Sequence, residues 1–177
     1  MLLAHTAVGG QALPPTPAEL ESETTPLIVN TITIAGPPEA VFDLVTTARF
    51  WPRWHPATQA VGGVTERPYQ LGSHIRERGH IGNRAFQVTW TVVEHARPSR
   101  VVLRTERPPA QITYTFQARD GATVFTRALQ YKVDNPAAMS SPPNALDRLM
   151  REQSEQAVKQ LQGLVEQILR AEAIETP

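Results

Sequence analysis

The chain has 177 residues, of which 41% are hydrophobic and 19% are charged, and its 17 basic side chains balance its 17 acidic ones. A balanced charge argues against nucleic-acid binding, because phosphate contacts normally require an excess of Lys and Arg. The absence of cysteine excludes disulfides, thiol nucleophiles and thiolate metal sites, and no apolar run is long enough for a transmembrane helix, so we expect one soluble, cytoplasmic domain.

Residues 1–26 are rich in proline. Pro14, Pro15, Pro17 and Pro26 stand there among small and acidic residues. Such a composition cannot bury enough apolar surface to offset the entropy of ordering the chain. We therefore predict a flexible leader at 1–26, a single domain at 27–172 and a short tail at 173–177.

The domain is predicted to begin with a strand and two short helices. Residues 27–35 (LIVNTITIA) are rich in β-branched side chains and mix apolar with polar positions, which favours a half-buried strand. Gly36 and two prolines end this strand, and Pro38 suits the first turn of a helix that runs to about residue 47. Residues 48–56 (ARFWPRWHP) are expected to form a second short helix and an aromatic turn.

The middle of the chain is predicted to be all strand. Further strand candidates are separated by short turn signals and lie at 58–66, 72–79, 84–95, 100–107, 111–118 and 123–133. Short connections of this kind join antiparallel neighbours, because parallel pairing needs long crossovers. Asp120-Gly121 is the most specific hairpin signal among them.

A long amphipathic helix is predicted at 144–171. Its apolar residues recur at spacings of three and four, and they are Leu146, Leu149, Met150, Ala157, Leu161, Leu164, Val165, Ile168 and Leu169. The opposite face holds acid–base pairs four residues apart, at Asp147/Arg151, Glu155/Lys159 and Glu166/Arg170. Gly163 costs about 1 kcal/mol in a helix interior, so we expect a close backbone approach or a bend there. One helix cannot cover both faces of seven strands, so the sheet must curl around it.

Alternation along the strands indicates which side chains face this helix. Residues of the inner phase are Ile75, Arg84, Phe86, Val88, Trp90, Val92, Val101, Leu103, Ile112, Tyr114, Phe116, Phe125, Leu129 and Tyr131. Residues of the outer phase include Gln87, Thr89 and Thr91. The sequence therefore predicts a concave, mostly apolar inner face.

Two charged residues, Glu77 and Arg127, share the inner phase. A buried charge is costly unless it is paired, so a Glu77–Arg127 ion pair inside the concavity is one interpretation. The other is that a β-bulge shifts either strand and leaves its charge in water. If both lie inside, they are the catalytic candidates. Glu77 would be a base whose pKa is raised by desolvation, and Arg127 or Arg84 would stabilise an enolate oxygen.

Three segments resemble the SRPBCC (START-like) superfamily, in its polyketide cyclase/dehydrase and lipid transport branch, which shares the fold of the birch pollen allergen. They are VNTITIAGPPEAVFDLVTTARFWPRWHP, LGSHIRERGHIGNRAFQVTWTVVEHARPSRVVLRTE and ITYTFQARDGATVFTRALQYKV, the last followed by the long helix. The motifs are the Pro-Pro-Glu-x-Val-Phe helix start, the Trp51-x-x-Trp54 turn and the Asp120-Gly121-x-Thr123 hairpin. The resemblance covers about 27–170. It implies an α+β helix-grip fold, in which a seven-stranded curved antiparallel sheet wraps round the C-terminal helix and two short helices follow the first strand.

The same resemblance implies a pocket between the concave face and the long helix, with the Trp54-His55-Pro56 turn at its mouth. The ligand-binding candidates are Trp54, His55, Ile75, Glu77, Arg84, Phe86, Val88, Trp90, Leu103, Tyr114, Phe116, Phe125, Arg127 and Met150. Trp51 and Trp54 are either core side chains that hold the short helices on the sheet or contacts to a ligand. His55 is either a catalytic group at the rim or an ordinary solvated side chain.

The sequence offers little for other chemistry. His74 and His80 stand roughly 20 Å apart on an extended strand, too far to share a metal ion, and GHIGN at 79–83 lacks the length and the lysine of a phosphate loop. We expect neither a metal nor a cofactor. The outer stripe of His74, Arg76, Arg78 and His80 is either a solvated face or a dock for an acidic partner or membrane. The strand at 27–35 could also pair in a homodimer.

The sequence is compatible with three functions. The first is binding or transport of a hydrophobic small molecule, such as a lipid, isoprenoid, quinone or polyketide. The second is an enzyme of the polyketide cyclase/aromatase or dehydrase type that uses the same pocket. The third is an interaction module that acts through the outer sheet face, with the cavity filled by its own side chains.

Overall fold

The computed structural model describes residues 27–132 and 145–175. Its strands are β1 (Leu27–Ala35), β2 (Thr58–Gly63), β3 (His74–Ile81), β4 (Arg84–Ala96), β5 (Arg100–Glu106), β6 (Pro109–Arg119) and β7 (Ala122–Tyr131). Its helices are α1 (Pro38–Val45), α2 (Trp51–Trp54) and α3 (Ala145–Glu175), and a 3₁₀ turn at Ala48–Phe50 precedes α2. The leader predicted at 1–26 lies outside the described residues, and α3 continues three residues beyond the predicted end of the domain.

The strands form one antiparallel sheet in the order β1-β7-β6-β5-β4-β3-β2. Hairpins join consecutive strands from β2 to β7, as the short turns predicted, and β1 pairs with β7 along its whole length. At the β6–β7 turn, Asp120 and Gly121 have φ of 50° and 78°, the positive values that a tight hairpin turn requires. The curled sheet, the long C-terminal helix and the short helices after β1 confirm the predicted helix-grip fold.

Helix α3 lies against the inner face and against the edge of β1. Its buried stripe includes Ala157, Leu161 and Val165. Two side chains of α3 also bond the β1 backbone, since Glu166 Oε1 accepts from the Ala35 N–H at 3.0 Å and Gln162 Nε2 donates to the Thr33 carbonyl at 2.9 Å. The helix therefore occupies part of the strand edge that the sequence offered to a homodimer.

Two of the three ion pairs expected on α3 are present. Arg151 bonds Asp147 at 2.8 Å and Lys159 bonds Glu155. The Glu166–Arg170 prediction is wrong, because Glu166 is engaged with β1 instead. The close approach expected at Gly163 is also wrong, since a Cβ built there would meet nothing within 4 Å.

The inner face carries two different environments. Towards α1, it is filled by aromatic side chains, with the Phe42 and Phe116 ring centroids 5.0 Å apart and those of Phe116 and Phe125 5.2 Å apart. Farther along the strands, beside α2 and the first turns of α3, the side chains leave space. The candidate functional site lies in this second region.

The outer face of β3 is polar. His74, Arg76, Arg78 and His80 alternate with buried residues along β3 and are all exposed, as predicted. In the ranges 27–132 and 145–175, no helix is both long and apolar enough to cross a membrane.

Candidate functional site

A cavity of about 540 Å³ lies between the inner face of the sheet, α2 and the beginning of α3. Nine of the sequence-predicted site residues line it, and they are Trp54, His55, Glu77, Phe86, Val88, Trp90, Tyr114, Arg127 and Met150. Most of the remaining wall is apolar, with Ile81, Ala110, Ile112, Leu129 and Leu146 among its residues. The volume falls in the range of sites that hold drug-sized molecules.

Four of the predicted site residues face inward but do not line the cavity. Ile75, Leu103, Phe116 and Phe125 are at most 3% exposed and belong to the packed core. Alternation along a strand defines which face a side chain occupies, but it does not show how far along that strand the core gives way to the cavity. The prediction that they contact a ligand directly is therefore corrected.

Arg84 also lies outside the cavity wall. It is the first residue of β4, it pairs with Ile81 at the end of the β3–β4 hairpin, and it is exposed. Strand phase alone placed the Arg84 side chain on the inner face of the sheet. At this end of the hairpin the inner face is open to solvent, so a residue of the inner phase is exposed. It is therefore not a candidate for stabilising an enolate in the cavity.

The partly exposed wall residues mark one end of the cavity. Pro108 in the β5–β6 turn is exposed, and Ile81, Lys132, Leu146 and Gln153 are partly exposed. Trp54 is only 1% exposed, so it is a wall residue and not part of the rim that the sequence suggested. Among residues 27–132 and 145–175, the end near the β3–β4 and β5–β6 turns and the beginning of α3 is thus exposed, and it is called the accessible end.

Glu77 lies in the wall of the cavity and is 7% exposed. Thr58 Oγ1 and Trp90 Nε1 both donate to its carboxyl group, the latter at 2.7 Å. Burial raises the pKa of Glu77, and these two hydrogen bonds and the Arg127 charge oppose the rise. The inward position predicted for Glu77 is correct, and it places a carboxyl group, which can hold or release a proton, in the cavity wall.

Arg127 is 2% exposed and lines the same cavity. Its Nη1 donates to Ser154 Oγ at 2.7 Å, and its Nη2 lies 3.3 Å from His55 Nε2. The predicted direct Glu77–Arg127 ion pair is wrong, because each group bonds other partners. The two residues stand on β3 and β7, which three strands separate in the sheet.

The His55 imidazole sits between Arg127 and Trp54. Burial and the Arg127 charge lower the pKa of His55 to about 3, so the ring is neutral near pH 7. Because a guanidinium can only donate, His55 Nε2 must accept from Arg127, and the ring proton is on Nδ1. His55 is therefore a part-buried cavity residue that supports Arg127, rather than a solvated one.

Two tyrosines complete the polar part of the wall. Tyr114 pairs with Arg127 across β6 and β7, and burial raises the pKa of its hydroxyl, which the neighbouring Arg127 opposes. Tyr131 donates to Asp147 Oδ1 at 3.1 Å and so ties β7 to α3. Among the described residues, no three His, Asp or Glu side chains converge to hold a metal ion.

Sequence reasoning missed Thr58 and Ser154. Ser154 accepts from Arg127 and donates to Asn30 Oδ1, and it is 2% exposed. It lies four residues after Met150 and three before Ala157, so it was visible in the sequence as a polar residue within the apolar stripe of the helix. Thr58 carried no comparable signal, because its role depends on a bond to a neighbouring strand.

Comparison with known proteins agrees with this architecture. Residues 25–166 match the protein family described as polyketide cyclase / dehydrase and lipid transport. No curated protein matches the sequence.

Solved structures with the same fold have low sequence identity to this chain. The Zhui aromatase/cyclase from Streptomyces sp. R1128 is 15% identical, with a TM-score of 0.66, over 83% of this chain and 97% of that one. A START superfamily protein from Mycobacterium smegmatis is 18% identical, with a TM-score of 0.63, over 80% and 98%. A protein from Thermus thermophilus is 16% identical, with a TM-score of 0.68, over 79% and 97%. These likenesses show the shared fold, and the family match over most of the domain shows that the chain belongs to the polyketide cyclase / dehydrase and lipid transport family.

Proposed function

We propose that this protein binds a hydrophobic small molecule, such as a lipid, isoprenoid, quinone or polyketide, in the cavity between the sheet and α3. The observation that carries the proposal is the cavity itself, about 540 Å³ with mainly apolar walls. Burying an apolar ligand there would remove its surface from water, which is the main source of affinity in such sites. A few polar groups at Glu77, Tyr114 and Arg127 would fix its orientation.

The proposal is tested by filling the cavity. Met150 lines it from α3, so Met150→Trp should occupy part of the volume and weaken binding of an environment-sensitive dye and of lipid or polyketide analogues that displace it. Leu71→Trp is the matched control, because Leu71 is 68% exposed. Equal dye affinity for both variants and the wild type would place the binding elsewhere and contradict the proposal.

A second candidate is an enzyme of the cyclase/aromatase or dehydrase type that uses the same cavity. The observation that favours it is the buried carboxyl of Glu77, whose pKa is raised and which stands in the wall near a buried cation. Glu77 would take a proton from an activated carbon of the bound molecule, and Arg127 would stabilise the enolate oxygen that forms.

This second candidate requires turnover that depends on both residues. Poly-β-ketone analogues would be incubated with the wild type, Glu77→Gln and Arg127→Met, and product formation would be followed. If the variants bind and convert the analogues like the wild type, the catalytic role is refuted. The third function, through the outer sheet face, required a filled interior and has no observation in its favour.

A further inference from the structure

The Arg127 guanidinium is a cation inside the cavity region with only neutral partners. An arginine side chain keeps its positive charge inside proteins. Its acceptors include the Ser154 hydroxyl and the His55 imidazole, and the Tyr114 hydroxyl also interacts with it. Among the described residues no carboxylate lies within ion-pair distance of it. A buried charge without a counter-ion is unfavourable, so this position favours an anion nearby.

Glu77 interacts with the Arg127 charge through space but does not bond it directly. Among the described residues that line the cavity, it carries the only carboxyl group, but its oxygens accept from Thr58 and Trp90. No carboxylate oxygen of the described cavity wall is therefore hydrogen-bonded to the Arg127 guanidinium.

Several residues of the cavity wall also contain buried polar atoms that have no hydrogen-bond partner. The buried nitrogens without a partner include Trp51 Nε1, Trp54 Nε1, His55 Nδ1 and Arg127 Nε. Indole and guanidinium nitrogens only donate, and His55 Nδ1 carries the ring proton because Nε2 accepts from Arg127. All four are donors, so the unpaired polar atoms of these residues lack acceptors and not donors.

From this arrangement we infer that the bound molecule carries an oxyanion, either a carboxylate or an ionised phenol, that pairs with Arg127. The apolar body of the ligand lies along the Val88, Ile112 and Leu129 wall, and its charged end lies at the guanidinium. This inference rests on the proposed binding function and names the polar group of the ligand.

Matched pairs of probes test the inference by isothermal titration calorimetry at neutral pH. One pair is decanoate and decanol, and the other is pentachlorophenol, a phenol that is ionised under these conditions, and its methyl ether. We expect the wild type to bind the anion of at least one pair about tenfold or more tightly than its neutral partner, since hydrogen bonds to charged groups contribute about 1.5–3 kcal/mol. Comparing the two pairs shows whether the anion is a carboxylate or a phenolate.

Variants then assign the preference to one residue. Arg127→Met should reduce the preference for the anionic probe to about twofold or less, whereas Glu77→Gln should retain the full preference. Lys132→Met is needed as a control, because Lys132 also lines the accessible end, and Arg76→Met controls for loss of an exposed arginine. If Arg127→Met does not fold, Arg127→Gln removes the charge and can still donate to Ser154.

The outcomes separate a failure of this inference from a failure of the proposed binding function. If neutral and anionic probes bind equally to the wild type, or if the preference persists without Arg127, the oxyanion is refuted while the cavity still binds ligands. If the preference for the anion is lost only in Lys132→Met, the pairing of the oxyanion with Arg127 is refuted as well. If no probe binds at all, both the inference and the proposed function fail.

Discussion

Ser154→Ala removes the side chain through which helix α3 holds Arg127. The Ser154 hydroxyl accepts from Arg127 Nη1 at 2.7 Å and is 2% exposed. A hydrogen bond from a charged donor contributes about 1.5–3 kcal/mol, and its loss leaves a buried guanidinium proton without an acceptor. We therefore expect the free energy of unfolding to fall by about 2 kcal/mol, and the Tm to fall by roughly 4–8 °C in a chain of this size.

The measurement is urea denaturation followed by circular dichroism, with Ser99→Ala as the matched control. Ser99 is exposed and its hydroxyl donates to the Ala96 carbonyl at 3.0 Å, so this control should change stability by less than about 0.5 kcal/mol. A loss in Ser154→Ala no larger than in Ser99→Ala would refute the view that Ser154 supports a buried cation.

A double-mutant cycle then separates the Arg127–Ser154 bond from other effects. In the Arg127→Met background the charged donor is gone, so Ser154→Ala should cost about 1 kcal/mol less than in the wild type. Additive losses would mean that Ser154 acts through Asn30, to which its hydroxyl donates, and not through Arg127.

Three further predictions concern α3 and His55. Gly163→Ala should raise the free energy of unfolding by about 0.5–1 kcal/mol, because a Cβ there meets nothing within 4 Å, and a loss in urea denaturation would contradict the helical assignment. Leu161→Ala should cost about 2–5 kcal/mol, since Leu161 is fully buried, whereas Leu71→Ala at an exposed site should be almost neutral. His55 has its pKa lowered to about 3 from 6.5, so its contribution to stability is present above pH 6.5 and is lost as the pH falls towards 3. The wild type should therefore lose stability relative to His55→Gln over this window, by at most about 1.4 kcal/mol per pH unit, and parallel pH profiles would show that the imidazole titrates normally.

The sequence predicted the sheet well because hairpin geometry and alternation are local properties. Short turns such as Asp120-Gly121 required antiparallel neighbours. Along β3, successive side chains alternate between the two faces of the sheet as expected, with Glu77 inside and Arg76 and Arg78 outside. The same periodicity placed Arg127 inside on β7. These assignments need no knowledge of the distant parts of the chain.

The site was predicted less completely because it depends on contacts between distant elements. Phe116 and Phe125 have the same phase as Tyr114 and Arg127 but pack in the core, and no local pattern marks where that core ends. The partner of Arg127 could not be inferred from strand phase either, since Ser154 reaches it from a helix.

The central claim is that the cavity holds a hydrophobic molecule, and native mass spectrometry of protein purified gently from its own host tests it most directly. We predict a stoichiometric adduct that extracts into organic solvent, that is reduced in Met150→Trp and that is retained in Leu71→Trp. Wild-type protein that is recovered without any adduct, and that binds no lipid or polyketide analogue when titrated afterwards, would contradict the account.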